Sequence, residues 1–163
     1  MIKSVCIAIA IVLLILMTGC EQPDTTAANT VLFYYIHNEF AYGTESGVIA
    51  YTALTQKYDE NDYQVLLEKY LNGPTDYKST SPFPAGITLV DFQIVGDKAQ
   101  VVLSPHMGML SGSSRTVAFA CLTRTVIEMT GVSAVQIGIE NQQINGSDFI
   151  TLTLNSFSFW DNM

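Results

Sequence analysis

Few residues of this chain are of the kinds that do chemistry, and their spacing limits what each can do. His37 follows an apolar run and His106 sits among Pro105, Met107 and Gly108, with no ligand-like neighbour beside either. Both read as surface histidines. No His-x-x-x-His, Cys-x-x-Cys, Gly-x-Ser-x-Gly or Ser-x-x-Lys arrangement occurs with its companions. Asp59-Glu60-Asn61-Asp62 offers oxygen ligands for calcium, but Tyr63 takes the third ligand position and the required glycine is missing. A solvated helix cap explains these acids better. Ser111-Gly112-Ser113-Ser114-Arg115 opens a helix whose backbone N–H groups could hold an anion, though a serine-rich N-cap accounts for the same residues. Cys121 falls at the border of an apolar helical face, with no base or cation in sequence to activate it, and reads as a small buried hydrophobe. Asn145-Gly146-Ser147 matches a glycosylation sequon, yet Asn-Gly is first a turn signal. The expectation is a chain without catalytic residues, metal ligands or cofactor.

Cys20 is different. It ends Leu16-Met17-Thr18-Gly19-Cys20 and is followed at once by Glu21-Gln22-Pro23-Asp24. In front lie the single charge of Lys3 and an unbroken apolar run from Val5 to Met17. That run is short for a bilayer span, which needs roughly 20 residues, and suits the h-region of an export signal. Small residues before a cysteine resemble a lipobox, in which the thiol accepts a diacylglycerol; Met17 stands where leucine is commoner. Residues 1–19 are expected to be a cleaved lipoprotein signal peptide, with Cys20 lipidated and the domain on the extracytoplasmic face of the cell membrane. Polar, aperiodic residues 20–29 read as a flexible tether.

The chain has 163 residues, 48% hydrophobic and 13% charged, with a formal charge of −8 at pH 7. Removing the leader removes Lys3 and no acid, which takes −8 to −9. An acidic surface without a Lys/Arg cluster repels phosphate backbones and excludes nucleic acid as a partner. Cys121 is alone in the mature domain, so the fold rests on apolar packing rather than on disulfides.

The elements follow from periodicity. Residues 30–36 (TVLFYYI) and 48–57 predict strands. Tyr63, Leu66, Leu67, Tyr70 and Leu71 share one helical face, with Asp59 or Asn61 as the cap and Asn72-Gly73-Pro74 as the stop. A proline-containing loop spans 75–86. Val90, Phe92 and Ile94 alternate in a strand over 87–95, Gly96-Asp97 turns a hairpin, and Ala99, Val101 and Leu103 alternate on the return. A loop over 104–112 leads to a helix over 113–130, with Ala118, Phe119, Leu122, Val126 and Met129 on one face and an Arg124–Glu128 pair on the other. Gly131 caps it. Strands over 134–139 and 149–154 flank a turn at Asn145-Gly146. The order β-β-α-β-β-α-β-β predicts an α+β domain over 30–163, a mixed β-sheet with two helices on one face.

Tyr70-Leu71-Asn72-Gly73-Pro74-Thr75, then Pro82, Pro84 and Gly86, then a hairpin ending Val101-Val102-Leu103-Ser104, a long helix, and Gly131-Val132-Ser133-Ala134-Val135-Gln136-Ile137: this succession resembles the GerMN domain from about Val31 to Asn141. The resemblance implies an αββαβ core similar to ring-building modules, and a non-enzymatic domain of sporulation, spore-germination or cell-envelope lipoproteins. It supplies no catalytic residues. The protein that names the family carries two such domains, whereas one is legible here, and the tail from Asp148 onward lies outside the match.

The expected function is that of a membrane-tethered interaction or assembly module that binds a protein partner or itself weakly. The alternative is an envelope accessory that binds or acts on peptidoglycan or a small ligand. An edge strand offers unpaired backbone groups to a partner. The final run Phe149–Leu154 is the candidate edge, and Phe149, Phe157, Phe159 and Trp160 are the candidate interaction residues.

Overall fold

The β-branched and aromatic run Thr30–His37 forms strand β1, and Ile49–Thr55 returns beside it as β2 in antiparallel register from Thr30↔Thr55 to Ile36↔Ile49. The computed structural model describes residues 30–37, 49–55 and 62–157. Helix α1 spans Tyr63–Leu71 and buries Leu66, Leu67, Tyr70 and Leu71, the face its spacing predicts. Asp62 occupies the N-cap position without a side-chain hydrogen bond; the predicted caps Asp59 and Asn61 lie outside the described residues. After the Asn72-Gly73-Pro74 stop, a two-residue strand β3, Ser79–Thr80, pairs with Ile36 and His37 of β1. Nothing apolar in Lys78-Ser79-Thr80 announces that strand, and the sequence places a loop there.

Leu89–Val95 (β4) and Lys98–Leu103 (β5) form the predicted hairpin. Gly96 takes φ +61 at the first turn position, a conformation the twist of two-residue hairpins demands and a side chain resists. A 3-10 turn at Pro105–Met109 precedes helix α2, Gly112–Thr130, which Gly131 ends at φ +74 with its N–H on the Ile127 carbonyl. Ala134–Ile139 (β6) then runs parallel to β5, and Phe149–Leu152 (β7) lies antiparallel to β6. A parallel pair needs a crossover, and α2 is that crossover.

The α+β class holds, but the strands divide into two sheets where the sequence reading had one. Sheet A has the order β2-β1-β3 and sheet B the order β4-β5-β6-β7. Ala99, Val101 and Leu103 stand in register with Val135, Ile137 and Ile139, and together they make the buried face of sheet B. Both helices lie on that face. Helix α2 also packs against β1, so it is buried round most of its circumference: Ala120, Cys121, Thr123 and Thr125 join the predicted apolar face in the core.

A polar brace ties sheet A to the helices. β3 covers β1 only at its end, and among the described residues no strand pairs with Tyr34 on that side. Thr125 Oγ1 of α2 accepts from the Tyr34 N–H (3.0 Å), and the Tyr70 hydroxyl of α1 donates to the Tyr34 carbonyl (2.8 Å). The Tyr35 hydroxyl in turn donates to the Tyr70 carbonyl (2.9 Å). Phe33 and Phe83 close the cluster, their ring centroids 5.2 and 5.4 Å from that of Tyr70. Burial pushes both phenols above their ordinary range.

Candidate functional site

The groups that drew attention in sequence are mostly spent on structure. Cys121 is fully buried, and burial pushes its thiol up to about 12. A thiol held protonated inside the core is no nucleophile at neutral pH. His106 is exposed, with Nδ1 3.4 Å from Ser104 Oγ, and the same oxygen accepts from the Thr88 N–H (3.0 Å). Ser104 ties the residue before β4 to the end of β5, and His106 rests beside it against Gly86. Arg115 turns back from α2 to donate to the carbonyls of Leu110 (2.7 Å) and Gly108 (3.4 Å), which closes the preceding turn instead of facing an anion. Asn145 and Gly146 take φ 53 and 80 in the expected turn. Among the described residues no group of three or more His, Cys, Asp or Glu could hold a metal ion. No described helix is long and apolar enough to cross a membrane.

The predicted interaction residues separate. Phe157 is 6% exposed and belongs to the core, so it is withdrawn from any partner: the chain turns through a 3-10 segment at Leu154–Ser156 and folds that ring inward. Phe149 is half-buried over Gly138, where a Cβ would come within 2.7 Å of its ring. Phe159, Trp160 and Cys20 lie outside the described residues.

Among the described residues sheet B has two edges. β7 is one, as the sequence suggested, and is only four residues long. β4 is the other and is seven residues long. Its backbone directions follow from its neighbours. The Ser104 N–H reaches Thr88 of the β4 side, whereas the Leu103 carbonyl accepts from Glu140 on the β6 side. Alternation along β5 then turns the backbone of Lys98, Gln100 and Val102 toward β4. Their partners Val95, Gln93 and Asp91 face inward, so Phe92 and Ile94 present their N–H and C=O groups at the open edge. Val95 is 61% exposed, Val90 44% and Ile94 42%. Between Leu89 and Asp91 the register shifts, which makes Val90 an inserted residue and breaks the apolar alternation predicted for Val90, Phe92 and Ile94. Five regular residues, Asp91 to Val95, remain beyond this bulge.

The face of sheet B opposite the helices bears a row of amides. Gln93, Gln100, Gln136 and Thr151 stand in register on four successive strands. Gln93 donates to Gln100 through its side-chain amide, and Gln136 donates to Thr151 at 3.5 Å. Above the next row, at the ends of β5 and β6, Glu140, Asn141, Asp148 and Phe149 border a cleft of about 290 Å³. A second cleft of about 310 Å³ lies where Glu68 and Leu71 of α1 approach Ile87 and Leu89.

The strand order and the crossover through α2 define a small α+β domain of recognisable kind. Residues 32–145 match the family model described as Germane: Sporulation and spore germination, and the chain belongs to that family. The first GerMN domain of the sporulation protein GerM from Bacillus subtilis has a similar structure, with 18% identity and a TM-score of 0.57, covering 77% of this chain and 96% of that one. The tandem GerMN domains of the same protein give 14% identity and a TM-score of 0.56, with 83% of this chain and 49% of the tandem covered. A Clostridium perfringens protein assigned as a lipoprotein matches at 16% identity and a TM-score of 0.50, over 78% of this chain and 90% of its own. None of the curated proteins matches the chain.

Proposed function

We propose that this chain is a lipid-anchored, extracytoplasmic assembly module without enzymatic activity, serving sporulation or cell-envelope organisation. The observation that carries the reading is the open edge of β4, which offers two peptide units and the side chains of Val90, Ile94 and Val95 to another strand. Family membership supports the setting, and the apolar leader ending in Thr18-Gly19-Cys20 supports the anchor. Acyl chains on Cys20 hold the domain to the membrane, at about 0.8 kcal/mol for each buried CH₂.

Two measurements test the proposal. Labelled palmitate enters the wild-type chain, and Cys20→Ala abolishes the labelling; equal labelling in both would refute the anchor. A photocrosslinking residue at Ile94 gives a discrete adduct in membranes, and one at Thr116, exposed on α2, does not. Equal adducts at both, or none, would refute assembly through β4. A second reading rests on the cleft beside Phe149, where carboxylates and amides around an aromatic ring suit a peptidoglycan fragment. Muropeptide binding measured by calorimetry, lost in Glu140→Ala and Asp148→Ala, is the outcome that favours it.

A further inference from the structure

We infer that the partner of β4 is β4 of a second copy of this chain, paired antiparallel about a two-fold axis centred on Gln93. This rests on the assembly reading above and names its partner. The edge itself sets the register. Phe92 and Ile94 alone among the five regular residues direct their backbone groups outward. An antiparallel partner centred on Gln93 sets Phe92 of each copy against Ile94 of the other, and each such pair exchanges two N–H···O=C bonds. Four backbone hydrogen bonds form, and no outward group of the regular stretch is left over. Centring on Phe92 instead would require the inserted Val90 to pair with Ile94, where the bulge breaks the ladder. Centring on Asp91 would set two carboxylates opposite each other, an unfavourable cross-strand pair.

Side chains agree with the same axis on both faces. On the helix side, Phe92 meets Ile94 of the second copy twice, and the part-exposed Ile94 is covered. On the open face, Gln93 meets Gln93. Its amide donates one hydrogen to Gln100 and has a second hydrogen and a carbonyl oxygen to exchange with its twin. The amide row Thr151-Gln136-Gln100-Gln93 then runs unbroken into its own mirror sequence across eight strands. In the flanking row Asp91 of one copy lines up with Val95 and Lys98 of the other. At a strand spacing of about 4.8 Å that carboxylate lies within reach of the Lys98 side chain, so opposite charges meet at both ends. The dimer closes on itself, as isologous pairing requires.

The test uses the full chain in membranes with single cysteines, oxidised by copper phenanthroline in air, and wild type as the baseline. Gln93→Cys brings two Cβ atoms to about 4.5–5.5 Å in a non-hydrogen-bonded pair and gives a disulfide dimer. Asp91→Cys and Val95→Cys each lie about 13 Å from their own twins and give none alone, but co-expressed with different tags they give the mixed dimer. Adding Ile94→Lys to Gln93→Cys abolishes the dimer while the thermal melt stays cooperative. If Gln93→Cys fails to cross-link while a photoprobe at Ile94 still captures a different protein, this inference falls and the assembly reading stands. If neither gives an adduct, both fall. A dimer from Asp91→Cys alone overturns the register.

Discussion

Replacing Tyr70 by phenylalanine removes one oxygen from the core and leaves the ring in place. Its hydroxyl is the donor to the Tyr34 carbonyl, and Tyr34 is buried on the stretch of β1 that β3 does not reach. Removing the hydroxyl that donates to a buried carbonyl costs about 1–3 kcal/mol. Tyr35→Phe is the internal control. Its hydroxyl also donates to a carbonyl, that of Tyr70, but the same oxygen accepts from the Gly73 N–H at 3.0 Å and stays satisfied. The cost there is only the net worth of one hydrogen bond, about 0.5–1.5 kcal/mol. Tyr70→Phe should therefore exceed Tyr35→Phe by roughly 1 kcal/mol, and its melting temperature should fall by roughly 5–10 °C. Thr125→Val removes the hydroxyl that accepts from the N–H of the same Tyr34 residue, so the double variant with Tyr70→Phe departs from additivity. Guanidinium unfolding of a chain beginning at residue 20, with Cys20→Ser, measures all four. Equal losses for the two tyrosine variants, or strict additivity with Thr125→Val, would refute the brace.

Three further outcomes follow from the core. The folded-state pKa of Cys121 is raised from 9.0 to about 12 and that of Tyr70 well above 10.0, so the unfolded chain releases these protons first. Their contribution is fully present below pH 9 and is lost as pH rises, by at most about 1.4 kcal/mol per pH unit for each group; a pH series of denaturant melts should decline from pH 9, with the onset moved to pH 10 in Cys121→Ala. Gly138→Ala drives a Cβ into the Phe149 ring and to 3.2 Å from the Asp148 carbonyl, and should cost about 1–3 kcal/mol by the same unfolding assay. Thr123 Oγ1 is buried with no hydrogen-bond partner among the described residues, so Thr123→Val should be neutral or stabilise by up to about 1 kcal/mol; a loss above that would reveal a partner for the hydroxyl.

How much of this was legible depended on whether the signal was local. The apolar faces of α1 and α2, the stop at Asn72-Gly73-Pro74 and the turns at Gly96-Asp97 and Asn145-Gly146 are written in neighbouring residues, and the fold keeps them all. Sheet membership is not local. Nothing in residues 30–36 says that they pair with β2 and β3 and not with β5, so periodicity predicts one sheet where there are two. Tyr70 counted as one more apolar residue at helical spacing, and periodicity cannot show a hydroxyl aimed at another strand. Aromatics mark 149–154 as a candidate edge, and β7 is one, but that β4 is the other is a property of strand order. β4 became one only because β5 took β6 as its other neighbour. The bulge at Val90 was hidden too, because an inserted residue shows only against the strand it fails to match.

A pairing site of this size has a consequence for the anchor. Four backbone hydrogen bonds and two apolar pairs form an interface well short of the roughly 800 Å² per partner that stable association buries. Both copies are acidic, at −8 over the whole chain, and repel one another at a distance. In dilute solution such a dimer dissociates. Under the proposed anchor on Cys20 the copies would share a thin layer at the membrane, and the effective concentration there would make a weak contact sufficient. Strand edges are ordinarily guarded by lysine, proline or bulges. β4 keeps a bulge at one end and a single acid, a degree of guarding that suits a contact meant to form only where copies are concentrated. Anchor and edge should then fail in distinguishable ways. Cys20→Ala removes the Gln93→Cys disulfide at cellular levels, and raising the purified soluble protein toward millimolar concentration restores it. Ile94→Lys removes it at both levels. Analytical ultracentrifugation with oxidation at matched concentrations reads the difference. Recovery of the dimer by Ile94→Lys at high concentration, or its absence from concentrated Cys20→Ala, would break the link between the weak edge and the tether.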